Sequence, residues 1–221
     1  MAISITASNG HYETQTLNNT PYSGMNFNTT VNSPVQVINQ VVVAKQFAYS
    51  LKQMKICLVA FDFDQTIVAI HTHGLWMENE NEIARLSRFV RPMMIELIRA
   101  LLENHIYVAI VSFSPQLNVI RSTLQNVLSS EECNKLFIQC YNPHLPSTIP
   151  IIGGKEDHLV AVVSYIQQVS GQTIYSRQIL LIDDDKNNIN TALAYGHYVI
   201  HYNEDVQQKS WLEMSVAYSS E

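Results

Sequence analysis

Five short apolar runs punctuate the chain: "ICLVAF" from Ile56, "IYVAIV" from Ile106, "LFIQC" from Leu136, "ILLI" from Ile179 and "YVIHY" from Tyr198. Between them stand helix-like stretches: "RPMMIELIRALLEN", "PQLNVIRSTLQNVL", "EDHLVAVVSYIQQV" and "NINTALAYG". The runs are too short for helices and are nearly continuous in apolar residues, as strands buried on both faces are. Strands that alternate with helices pack as a sheet between two helical layers. The pattern predicts an α/β fold, three-layered and Rossmann-like, with a mainly parallel central sheet of about five strands. Ahead of the first run, Ser33 and Pro34 open a further helix of about five turns. The 221 residues, 47% hydrophobic and 14% charged, suffice for one domain with a large core.

In such a sheet ligands gather outside the carboxyl ends of the strands, so the polar residues directly after each run are the functional candidates. They are Asp62, Asp64 and Thr66 after the first run, Ser112 and Ser114 after the second, and Asp183, Asp184 and Asp185 after the fourth; Lys155 stands just before a helix. Carboxylates at the end of a buried strand are normally neutralised, paired or placed on a metal. Hard oxygen donors suit Mg²⁺, which takes one or two carboxylates, keeps waters and meets a phosphate; zinc prefers His or Cys. Phosphoryl transfer needs an in-line nucleophile, charge neutralisation and a proton for the leaving oxygen. Asp62 can attack to give an aspartyl-phosphate, and Asp64 can act as general acid and then base. Ser112 can donate to a phosphate oxygen, Lys155 can offset the negative charge, and Asp183 with Asp184 completes a Mg²⁺ site.

The order and setting of these residues resemble the haloacid dehalogenase-like superfamily of Mg²⁺-dependent phosphotransferases over about residues 55–202. The DxDxT motif matches Asp62, Asp64 and Thr66, the second-motif hydroxyl matches Ser112 in "VAIVSFS", the motif lysine matches Lys155 in "GGKEDHL", and the acidic pair matches Asp183 and Asp184 in "LLIDDDKNNI". The resemblance implies that Asp62 is nucleophile and metal ligand. It implies that Asp64 is general acid/base and gives its backbone carbonyl to the metal, with Asp183 and Asp184 as further metal positions. Thr66, Ser112, the adjoining Phe113 and Lys155 become phosphate contacts. A second motif aspartate favours a phosphatase, because members whose leaving group needs no proton lack it. Gln65 departs from the Gly or Glu often found at its position.

The intervals between motifs leave no room for a large cap domain, a layout similar to the small magnesium-dependent phosphatases. The expected organisation is a flexible N-terminal arm over 1–32 and a single catalytic domain over 33–221 with a short flap at about 67–91. On that flap His71 and His73 alternate, so they can face the substrate together with Trp76; a structural hairpin turning at Gly74 accounts for the same pattern. The substrate would be a phosphorylated small molecule or protein, and a neighbouring subunit of a homo-oligomer is one way to close so open a site. A receiver-like phosphate-binding domain without turnover is the alternative. Its acidic pair, however, follows the first strand and its Lys lies near the end of the chain.

A net charge of −6 without a long basic run argues against nucleic acid and anionic membrane partners. The polar opening "MAISITASNGHYETQ" lacks the parts of a signal peptide, and no apolar run is long enough to span a bilayer, from which an intracellular, cytoplasmic protein is expected. Cys57, Cys133 and Cys140 lack metal-binding spacing and read as reduced core residues. Ser114 reads as a cap for the helix that follows Pro115. Asn187 and Asn188 would either orient the acidic loop or cap the next helix.

Overall fold

The computed structural model describes residues 34–141 and 153–203; the expected arm and the Pro-rich loop ahead of Lys155 lie outside them. Five strands, β1 (Leu58–Phe61), β2 (Tyr107–Ser112), β3 (Leu136–Cys140), β4 (Ile179–Asp183) and β5 (Tyr198–His201), form one sheet in the order β3-β2-β1-β4-β5. All its pairings are parallel. The sheet is the α/β architecture that the alternating runs predict.

Successive side chains on a strand point to opposite faces, and the core divides accordingly. Val59 and Phe61 of β1, Val108 and Ile110 of β2, and Leu180 and Ile182 of β4 face one way. There they meet α1 (Pro34–Gln53), α2 (Glu80–Ser87), α3 (Pro92–Glu103) and α4 (Leu117–Gln125). Leu58, Ala60, Ala109, Val111, Ile179 and Leu181 face the other way. There they meet α6 (Glu156–Ser170) and α7 (Lys186–Ala194); α5 (Ser130–Asn134) is a short link ahead of β3. Helical spacing supplies the matching stripes: Ala44, Phe47, Ala48 and Leu51 on α1, and Met94, Leu97, Ile98 and Leu101 on α3 are all buried. Pro34 and Pro92 occupy the first helical position, where a missing N–H costs nothing. Strand β3, with a neighbour on one side only, is half-buried throughout, unlike β1 and β4.

The strand order reverses beside β1: the chain fills the sheet through β2 and β3, then crosses to β4 and β5 on the other side. Phe61 is level with Ile110 of β2 and Ile182 of β4. The residues that follow these three strands therefore emerge side by side at the switch point, the crevice where open α/β sheets bind ligands.

Between β1 and β2 the chain makes one small excursion. At its base Ala69 N–H donates to Phe89 O at 2.8 Å and Arg91 N–H to Ile67 O at 2.9 Å, with Val68 bridging Val90 antiparallel. Gly74 does turn the chain (φ +65°), but no paired strand follows it. The antiparallel contact lies at the neck of the flap, and α2, capped by the Asn79 side chain, fills the excursion. Among the described residues no helix is long and apolar enough to cross a membrane.

Leu97, fully buried between α3 and the sheet, tests the packing of that layer. Leu97→Ala should lower the unfolding free energy by about 2–5 kcal/mol in urea titrations, with an unchanged denaturant slope.

Candidate active site

Asp62 follows β1 directly, and its N–H donates to Ile182 O of β4 at 2.9 Å, a continuation of the ladder that fixes where the carboxyl emerges. The residue is buried, as are Ser112, Lys155 and Asp183. Lys155 Nζ lies 2.6 Å from Asp62 Oδ1, with the lysine side chain 1% exposed. The lysine stands at the N-cap of α6, brought close by Gly154. That glycine has φ +67°, and a Cβ on it would lie 2.9 Å from Thr191 Cβ of α7. Only glycine allows the turn and the close approach together.

The next residue, Glu156, secures the same helix start. Its Oε2 lies 2.9 Å from the buried His197 Nε2, and His197 Nδ1 lies 3.1 Å from the carbonyl of the exposed Ser176. This link ties the start of α6 to the segment that enters β5.

Asp183, at the end of β4, accepts the Asp185 N–H at 2.8 Å and the Asn188 side-chain amide at 3.0 and 3.1 Å. Asn188 thus orients the acidic loop, while Asp185 caps α7 by accepting the Asn187 N–H. Asp184 Oδ1 accepts from Thr66 Oγ at 3.3 Å, and its carbonyl is 2.9 Å from His201 Nε2. Ser112 Oγ accepts the Ser114 N–H at 3.1 Å. Ser114 does not cap α4, which begins at Leu117 after Gln116; its hydroxyl accepts the Gln116 N–H instead.

Crowding and burial show in the titration of the group. Desolvation pushes the Asp62 carboxyl well above the ordinary range; Lys155 opposes the shift, and the Asp183 and Asp184 charges add to it. Asp183 and Asp184 are raised as well, again chiefly by burial. A cation placed among them would reverse all three shifts.

Asp64 stands apart from this cluster. Residue 65, a glutamine with φ +58°, kinks the chain so that Asp64 reaches the flap. There Thr72 Oγ lies 2.9 and 3.0 Å from its two carboxyl oxygens, and His71 Nδ1 lies 2.9 Å from Oδ2. His71 Nδ1 also accepts the His73 N–H at 3.1 Å.

Asp62, Asp64, Ser112, Phe113, Lys155, Asp183 and Asp184 all line one cleft of about 620 Å³, with His71 and His73 on its flap side, their rings stacked at 4.3 Å. Thr66 and Trp76 are not in its wall. Thr66 is fully buried and spends its hydroxyl on Asp184. Trp76 is anchored: Gln116 bonds both its backbone N–H (2.8 Å) and its carbonyl (2.7 Å), its indole donates to Glu82 O, and Arg85 lies over the ring. The motif reading finds neither Thr72, Gln116, Glu156 nor His197. Only the Thr placed among the flap histidines gave a signal that could have been followed.

The donors at the rim are hard oxygens, the kind Mg²⁺ accepts. Among the described residues no three carboxylate, imidazole or thiol side chains converge to enclose an ion. A cation that keeps several waters needs only one or two carboxylates, which Asp62 and Asp183 in the cleft wall could supply.

No protein-family model and no curated protein matches the chain. Among solved structures the chain is similar to the HAD domain of the effector protein Lem4 from Legionella pneumophila, an inactive mutant. Identity is 18% and the TM-score 0.38, over 62% of this chain and 76% of that one.

His158, on α6 one turn beyond Lys155, is buried with neither ring nitrogen hydrogen-bonded among the described residues. Burial, aided by the Lys155 charge and opposed by the Ser112 backbone, holds its pKa down to about 4. The folded state therefore takes up the proton later than the unfolded chain. The stability contributed is complete above about pH 6.5 and is lost as pH falls towards about 4. Urea melts at pH 7 and 4.5 should show a loss on the order of 2–3 kcal/mol in the wild type that His158→Leu lacks.

Proposed function

We propose that the protein is a phosphomonoester hydrolase, dependent on Mg²⁺, that works through an aspartyl-phosphate on Asp62. One observation carries this reading: a buried carboxylate at the sheet's switch point pairs with Lys155, while a second carboxyl, on Asp64, faces the same cleft but is held separately by the flap. Phosphoryl transfer to a side chain and proton delivery to the leaving oxygen need two carboxyl groups in different environments.

Asp62 attacks the phosphorus, and the P–O bond to the leaving group breaks as the new P–O bond to its carboxylate forms. Asp64, oriented by Thr72 and His71, delivers a proton to the departing oxygen. It then takes one from the water that cleaves the acyl phosphate, so inorganic phosphate leaves and both carboxyls return to their starting state. Lys155 and the Ser112 hydroxyl meet the charge on the phosphoryl oxygens. Mg²⁺, held by Asp62, Asp183 and the Asp64 carbonyl with Asp184 beside them, would supply the charge that keeps the crowded carboxylates ionised and neutralises the phosphate. The order β3-β2-β1-β4-β5 also separates the chain from receiver domains, whose strands run 2-1-3-4-5.

Turnover of p-nitrophenyl phosphate should vanish in Asp62→Asn; undiminished turnover would refute the mechanism. Asp64→Asn should lose about 10²–10⁴-fold on alkyl phosphates and much less on p-nitrophenyl phosphate, whose leaving group departs without a proton. Equal losses on both would remove Asp64 from the acid role.

The metal has a readout apart from activity. Added Mg²⁺ should raise the melting temperature of the wild type, by mass action on the folded state, and leave that of Asp183→Asn unchanged.

A further inference from the structure

The Lys155 ammonium carries three N–H donors and almost no water can reach it. One flank is taken by Asp62 at 2.6 Å. Over another lies the Phe113 ring, its centroid 4.0 Å from Nζ. Phe113 directly follows the buried Ser112, yet its side chain is 49% exposed, so the ring is not there to fill the core. It stands at the wall of the cleft, braced edge-on by the His158 ring at 5.3 Å and 85°. An aromatic face attracts a cation electrostatically, and the attraction grows when the cation is desolvated.

We propose that the Phe113 ring is a positioning lid on Lys155, holding the ammonium on Asp62 and out of water and so setting how readily the site takes up a phosphoryl group. The inference rests on the reading of the cleft as a phosphate site. It gives the side chain a task separate from the phosphate contact expected of residue 113 by motif position. The ring's outer face meets solvent, its inner face meets the ammonium, and His158 keeps it from rotating away. The lysine's remaining donor capacity is left for the cleft it shares with Asp62 and Ser112.

Fluorination tests this without changing shape, because each fluorine drains the negative face of the ring while its outline hardly alters. Phe113 is replaced site-specifically by mono-, di- and trifluorophenylalanine, with Phe113→Leu as the end point. Three quantities are followed: kcat/KM on p-nitrophenyl phosphate, the vanadate inhibition constant, and hydrogen exchange of the Lys155 ammonium protons in the free protein. The expected result is a graded decline in kcat/KM and a matching rise in the vanadate constant, about two- to thirty-fold across the series. Ammonium exchange should quicken in step, and the melting temperature should stay level through the fluorinated members. A flat series in a protein that turns over overturns the lid and leaves the phosphatase reading standing. A wild type that neither turns over nor binds vanadate overturns both, since no uptake is left for the ring to set.

Discussion

A lysine and an aspartate 2.6 Å apart, both taken out of water at the end of the central strand, set the terms for everything around them. Desolvating two ions costs several kcal/mol each, and their attraction offsets this only with close geometry and further partners. The fold supplies both. The β1–β4 ladder fixes Asp62 through Ile182. Gly154 allows the lysine's turn to press against Thr191, and the Glu156–His197 link ties the helix start in place. Two more carboxylates, Asp183 and Asp184, share the rim, and the five aspartates that line the cleft outnumber its two lysines, Lys155 and Lys186. Negative charge is therefore in excess where a cation and a phosphoryl group would meet, and burial, with the neighbouring charges adding to it, raises the carboxyl pKa values there.

The other carboxyl of the cleft takes different partners. Asp64 is two residues from Asp62 but turns away at Gln65 and takes its partners from the flap. The flap in turn is fixed by a side chain from the far side of the site, since Gln116 grips both backbone groups of Trp76 much as a neighbouring strand would. A segment with little secondary structure can hold a carboxyl in register because four or five directed bonds replace a packed core.

Much of this was legible in the residues. The five apolar runs gave all five strands because burial on both faces leaves a nearly continuous signature, and the polar residues after each run fell at one rim because parallel strands end together. Asp62, Asp64, Ser112 and Asp183 could be named for that reason, and Lys155 from its place at a helix start. Thr66 and Trp76 illustrate the limit: the sequence offered them as phosphate and substrate contacts, and it carried no sign of the hydrogen bonds they make to Asp184 and Gln116. Glu156 and His197, 41 residues apart, are common types in ordinary surroundings, and only the folded chain brings them together. Gly154 reads as one more turn glycine until Thr191 is seen beside it.

The central claim is that Asp62 itself carries the phosphoryl group. Acid quenching during turnover, followed by borohydride reduction and peptide mass analysis, tests it directly, because reduction converts an aspartyl-phosphate to homoserine. The account predicts homoserine at position 62 alone, appearing with substrate and absent without it. Homoserine at another aspartate, or phosphate release with no reducible adduct under single-turnover conditions, would contradict it.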